Sequence, residues 1–74
     1  MAMTGVTITN RTGARILVRI TADGEQGGIG FYPIDPQQCD NWGRQNMQIA
    51  FVHREDNNTT EVLTVKPGFC YVVS

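Results

Sequence analysis

Residues 15–21 read Arg-Ile-Leu-Val-Arg-Ile-Thr, with Ile16, Val18 and Ile20 on one parity and Arg15, Leu17, Arg19 and Thr21 on the other. A period of two in β-branched side chains suits a pleated strand with one buried face, not a helix. The same rhythm returns along the chain. Val6 and Ile8 alternate with Thr7 and Thr9, and 46–54 sets Met47, Ile49, Phe51 and His53 against Gln48, Ala50, Val52 and Arg54. Leu63 and Val65 point inward from 61–66, and in 69–73 Phe69, Tyr71 and Val73 oppose Cys70 and Val72. Turn formers close the runs at Asn10-Arg11-Thr12-Gly13, at 55–60 and at Pro67-Gly68, the last suited to a type II turn. Runs recurring about every ten residues are the signature of a small sandwich or barrel. The expectation is one all-β domain over 1–74, a small antiparallel β-sandwich or barrel of about six short strands, with no helix of useful length.

The first two runs read as an N-terminal hairpin, followed by a polar loop over 22–28. The run 29–34 is expected at a sheet edge, because Pro33 and Pro36 cannot donate to a ladder. With Phe51 and His53 taken as inward, Leu17, Ala50, Val52, Cys70 and Val72 fall on the side that alternation sends to solvent. Such residues on neighbouring strands form a patch, whose simplest use in so short a chain is a homo-oligomer interface. Burial of the strands on both faces is the competing reading.

A chain of 74 residues buries only about 60% of the surface it exposes when unfolded, so partners or staples matter. A hydrophobic content of 41% with 18% charged residues excludes disorder. The net charge of −1 gives no basic stripe for nucleic acid. No apolar run approaches the roughly 20 residues of a membrane span. Met1 to Gly5 lacks both a charged and an apolar region of a leader, so the expected location is cytoplasmic, or extracellular if a leader was removed. The three Asn-x-Thr sequons at Asn10, Asn57 and Asn58 are then turn chemistry.

Catalysis finds little support. His53 is the only histidine and reads as a structural residue on a strand face. It and the two cysteines lack zinc-ligand spacing. The seven carboxylates fall in turns or at strand ends, without the burial that tunes a catalytic pKa. Asp56-Asn57-Asn58 lacks the ligand spacing of a calcium loop, and Gly24, Gly27, Gly28 and Gly30 precede no helix that could hold a phosphate. The expectation is a protein that is not an enzyme and needs neither metal nor cofactor. Cys39 and Cys70 are expected as free thiols, since without a leader the chain would meet a reducing compartment; a bridge would instead tie the middle of the chain to its end. Arg11, Arg15 and Arg19 share one parity, as a solvated stripe, a site for acidic ligands, or partners for Glu55, Asp56 or Glu61.

The candidate site is built on the only tryptophan, in Cys39-Asp40-Asn41-Trp42-Gly43-Arg44. A protein holds a neutral sugar by stacking a ring on its C–H face and aiming amides, carboxylates or arginines at its hydroxyls. Trp42 with Asp40, Asn41, Arg44 and Asn46 supplies both kinds, and Tyr32 joins them if its strand lies beside this loop. The alternative is that Trp42 plugs one end of the core.

Four stretches carry a resemblance: residues 6–13, 16–20, Trp42-Gly43-Arg44 and 61–68. In their rhythm the chain resembles small cytosolic all-β proteins of fungi, the company of fruiting-body lectins and lipid-binding aegerolysin-like defence proteins. The resemblance implies defence-type recognition of glycans or lipids without catalysis. The expected partners are a glycan and further copies of the chain, with no nucleic acid, and with membrane contact only through glycoconjugates or headgroups. The expected function is that of a multivalent lectin, and the alternative a lipid-headgroup-binding or toxin-like protein.

Overall fold

In a computed structural model that describes residues 5–22 and 30–74, the alternation resolves into seven strands with no helix among the described residues. The expected loop at 22–28, the start of the run 29–34 and the N-terminal residues before Gly5 lie largely outside the described residues. The strands are β1 (Val6–Asn10), β2 (Ile16–Ile20), β3 (Tyr32–Ile34), β4 (Cys39–Trp42), β5 (Gln48–Arg54), β6 (Thr59–Val65) and β7 (Cys70–Val73). They form a three-stranded sheet, β4-β1-β7, and a four-stranded sheet, β3-β2-β5-β6. All pairs are antiparallel except β1–β7, which is parallel. The strand not foreseen is β4, in the segment expected as a loop: Asp and Asn are poor strand formers, but the edge of β1 overrides that local preference.

The two sheets share one apolar core. Val6 and Ile8 enter it from β1, Ile16, Val18 and Ile20 from β2, and Ala50 and Val52 from β5, joined by Ile34, Trp42, Val65 and Val73. β1 and β2 do not form the expected hairpin, because they lie in different sheets. The chain crosses between sheets at Asn10 to Thr12, and the crossing is possible because both side chains are buried and bonded. Asn10 Nδ2 donates to Ala14 O and Ile34 O, while its Oδ1 accepts from Thr12 N and Thr12 Oγ1. A buried polar side chain is tolerable only when satisfied in this way.

The face of β5 is the reverse of that expected. Ala50 and Val52 are fully buried, whereas Met47 is exposed and Ile49, Phe51 and His53 are half-buried on the outer side. The register decides this: Ile20 opposes Ala50 and Val18 opposes Val52, and directly opposed residues share a face. The proposed patch of Leu17, Ala50, Val52, Cys70 and Val72 therefore does not exist as one surface. Two of its members are core, and Cys70 and Val72 belong to the other sheet from Leu17.

β3 is an edge strand, as expected from Pro33 within it and Pro36 just beyond it. Gly68 has φ +86°, the left-handed value that a type II turn needs, and its N–H donates to Gly5 O at 2.7 Å. Gly5, at φ +127°, packs so closely on β4 that a Cβ there would stand 2.6 Å from Trp42 O. The expected 55–60 turn covers only 55–58, because β6 already begins at Thr59; within it Asn57 Oδ1 accepts from Thr59 N and Thr59 Oγ1, and Asn58 takes φ +56°, so this sequon is turn chemistry.

Candidate functional site

The site forms where the two sheets meet at the edges β3 and β4. Trp42 opposes Val6, Asp40 opposes Ile8, and Asn10 N donates to Gln38 O, so β4 descends β1 in two-residue steps. β3 runs alongside: the Tyr32 ring lies 6.3 Å from Trp42, and Ile34 O is reached by Asn10 Nδ2 at 2.8 Å. Asp40 stands between these two points of contact. Alternate residues of a strand share a face, so Asp40 and Trp42 point to the same side.

Trp42 is 6% exposed and belongs to the core, so its ring is not the open stacking platform expected of it. The ring that is open is Tyr32, 46% exposed, meeting Trp42 edge-on at an interplanar angle of 69°. Such an edge-to-face pair is favourable and fixes the tyrosine's orientation. Among the expected site residues, then, Tyr32 and Trp42 are in ring contact, and Asp40 lies exposed two residues along β4 from Trp42, its Oδ1 accepting from Asn41 N at 2.9 Å.

The other three do not join them. Asn41 has the opposite parity, and its Nδ2 donates to Thr7 Oγ1 on the outer face of the three-stranded sheet. Arg44 is buried: its Nε donates to Thr21 O at 2.7 Å, Nη2 to Ile20 O at 3.0 Å and Nη1 to Gly43 O at 2.9 Å. Its guanidinium thus terminates β2 by taking up the carbonyls where that strand ends. Asn46 is exposed in the connection leading to β5. Asn10, which ties β1 to β3 through Ile34 O, has its sequence signal in Asn10-Arg11-Thr12, an Asx-type turn motif that marks the turn but not the reach of the amide to β3.

The electrostatics lie elsewhere. Arg54 donates to Asp56 and Glu61 and, through Nη1 at 2.8 Å, to Ser74 O. The Asp56 hydrogen bond, with that of Glu61, raises the Arg54 pKa above its ordinary value, and the same Arg54 bond holds the Asp56 carboxyl below its ordinary range. Arg15 pairs with Glu55 at 3.0 Å, one of the cross-strand partners foreseen for the arginines, while Arg19 lies over the Phe51 ring. His53 bonds Thr60 Oγ1 on the outer face and does not point inward. Among the described residues no three His, Cys, Asp or Glu side chains converge as metal ligands would. Cys39 and Cys70 are free and exposed on strands that flank β1, which separates them beyond the roughly 7 Å Cα limit of a disulfide.

Comparison with protein-family models, curated proteins and solved structures gave no match.

Proposed function

We propose that this protein binds carbohydrate without catalysis, at the seam between β3 and β4, with Tyr32 as the stacking ring and Asp40 as the directed acceptor for a hydroxyl. The observation that carries the reading is the Tyr32 ring, half open to solvent and braced edge-on by a buried tryptophan. A ring already ordered by folding gives up little further freedom when a sugar stacks on it. One tyrosine and one carboxylate make a shallow site, so useful affinity requires several sites on one particle. In this reading the chain acts as a multivalent homo-oligomer in defence-type glycan recognition, the class to which its resemblance to small fungal proteins points.

The test is a glycan array with the wild-type protein and Tyr32→Ala, followed in solution by the fluorescence of Trp42. Tyr32→Ala should weaken binding by roughly 1–3 kcal/mol while leaving the β spectrum intact. Asp40→Ala should cost about 1 kcal/mol or more. Retention of no glycan, or equal binding by Tyr32→Ala, would remove the seam as a sugar site. One observation favours a second reading, recognition of lipid headgroups: the outer face of the four-stranded sheet sets the Arg19 guanidinium over Phe51 beside the exposed Val62. Binding to anionic liposomes, unaffected by sugars and lost in Arg19→Ala, would select it.

A further inference from the structure

Two sheets have four edges, and three of them are guarded. β3 spans three residues and contains Pro33, while β4 and β7 span four residues each. Short strands and proline are the usual devices against edge-to-edge pairing. β6 has neither. It spans seven residues without proline, pairs with β5 in unbroken register from Gln48–Val65 to Arg54–Thr59, and pairs with no other strand among the described residues. Its one charged residue, Glu61, is engaged by Arg54 of the same chain at 3.0 Å.

The backbone phase of this edge follows from two bonds. Thr21 N donates to Ile49 O, and Glu55 N donates to Arg15 O. In an antiparallel ladder a residue turns both its N–H and its C=O to the same neighbour, and the next residue turns both away. Odd-numbered residues of β5 therefore face β2, and Gln48, Ala50, Val52 and Arg54 face β6. By the same alternation Thr60, Val62 and Thr64 direct their amides and carbonyls outward from β6.

We propose that β6 pairs antiparallel with β6 of a second copy about a two-fold axis at Val62, joining two four-stranded sheets into one. This axis sets Val62 against Val62, Thr60 against Thr64 and Thr64 against Thr60, so that every outward amide and carbonyl of the strand finds a partner. Moving the axis to Glu61 opposes two carboxylates and leaves Thr64 without a strand partner. Moving it to Leu63 pairs Thr60 only with Lys66, outside the strand. With the axis at Val62, each Glu61 lies opposite Leu63, so charge and hydrogen bonding select the same register. The exposed Val62 side chains, 61% open in one chain, then cover one another, and the flanking Phe51 rings extend the contact on both sides. Because β3 is the opposite edge of the same sheet, the two β3 edges of the dimer stand about 34 Å apart, seven strand spacings, and both stay open. The pairing rests on backbone and register alone and holds whether or not the β3–β4 seam takes a sugar.

The test is sedimentation equilibrium of the full chain together with amide hydrogen exchange. The wild-type protein should show twice the 8.2 kDa chain mass, with a concentration-dependent monomer fraction. Amides of Thr60, Val62 and Thr64 should gain protection as concentration rises, while those of Glu61 and Leu63, bonded to β5, should not change. Val62→Pro deletes an outward N–H without touching the β5 ladder, and Val62→Lys sets two cations against each other on the axis. Both should run as folded monomers at the highest soluble concentration. A wild-type monomer at every concentration would leave β6 to a strand from another protein and overturn the proposal. A Val62→Lys dimer of unchanged affinity, or exchange at Thr60, Val62 and Thr64 independent of concentration, would also overturn it.

Discussion

Four hydrogen bonds converge on the side chain of Asn10, two from Thr12 and one each to Ala14 O and Ile34 O. The bond to Ile34 O joins β1 to β3 across the boundary between the sheets, and the bonds to Thr12 shape the crossing from β1 to β2. Asn10→Ala strands buried donors and acceptors at both places. Each unsatisfied group costs about 1–3 kcal/mol, so the variant should lose on the order of 3 kcal/mol or more in urea unfolding. Asn10→Asp restores the acceptor for Thr12 but loses the amide donor to Ile34 O, and should be little better. Equal midpoints for wild type and Asn10→Ala would show that water replaces the network. Trp42 teaches the complementary lesson. A lone tryptophan among Asp, Asn and Arg has the composition of a ligand site, yet its neighbours divide between the two faces of a strand and the end of another. Composition within a few positions carries no information about which side chains share a face until the strand itself is known.

At the scale of the strand, β5 separates what alternation determines from what pairing determines. Its period of two was plain in the sequence, and so were the β character of β1, β2, β6 and β7 and the edge position of β3. Which parity of β5 faces the core was not. Ile49 and Phe51 are larger and more apolar than Ala50 and Val52, so size alone favours the wrong face. The register with β2 sends the smaller pair inward, beneath Val18 and Ile20. Strand partners escaped for a similar reason. Nothing local in Val6–Asn10 marks a strand that will lie between β4 and β7, each more than twenty residues away. Val52→Lys follows directly. The lysine would enter a fully buried position, so the protein should unfold or lose several kcal/mol of stability, with no folded monomer produced. Far-UV circular dichroism with light scattering distinguishes the two outcomes. A folded Val52→Lys chain at native-like stability would contradict the register of β2 with β5.

For the molecule as a whole, Arg54 joins the end of β5 to the turn before β6 and to Ser74 just beyond β7, linking the two sheets at the end away from Trp42. Its partner Asp56 has a carboxyl held below the ordinary 3.8, chiefly by the Arg54 hydrogen bond. A depressed folded pKa means that the unfolded chain takes up the proton first on acidification. The contribution is therefore complete above the ordinary value and is lost as pH falls from about 4 through the lower folded value. Thermal unfolding should show a drop in Tm between about pH 5 and about pH 3 that is smaller in Asp56→Asn, and an unchanged drop would assign the acid sensitivity to other carboxylates. The parallel pairing of β1 with β7 has a consequence for synthesis. β1 is central in its sheet, and one of its two neighbours comes from Cys70–Val73. A nascent chain that has released β1 to β6 from the ribosome still holds Val6 and Ile8 beside an unfilled place, and Arg11 N–H lacks the Val73 carbonyl that it bonds at 2.7 Å. Completion of this fold has to wait for β7 to emerge, and until then β1, made before the other six strands described, is the last of them to be closed in, open to whatever chain lies nearest on the polysome.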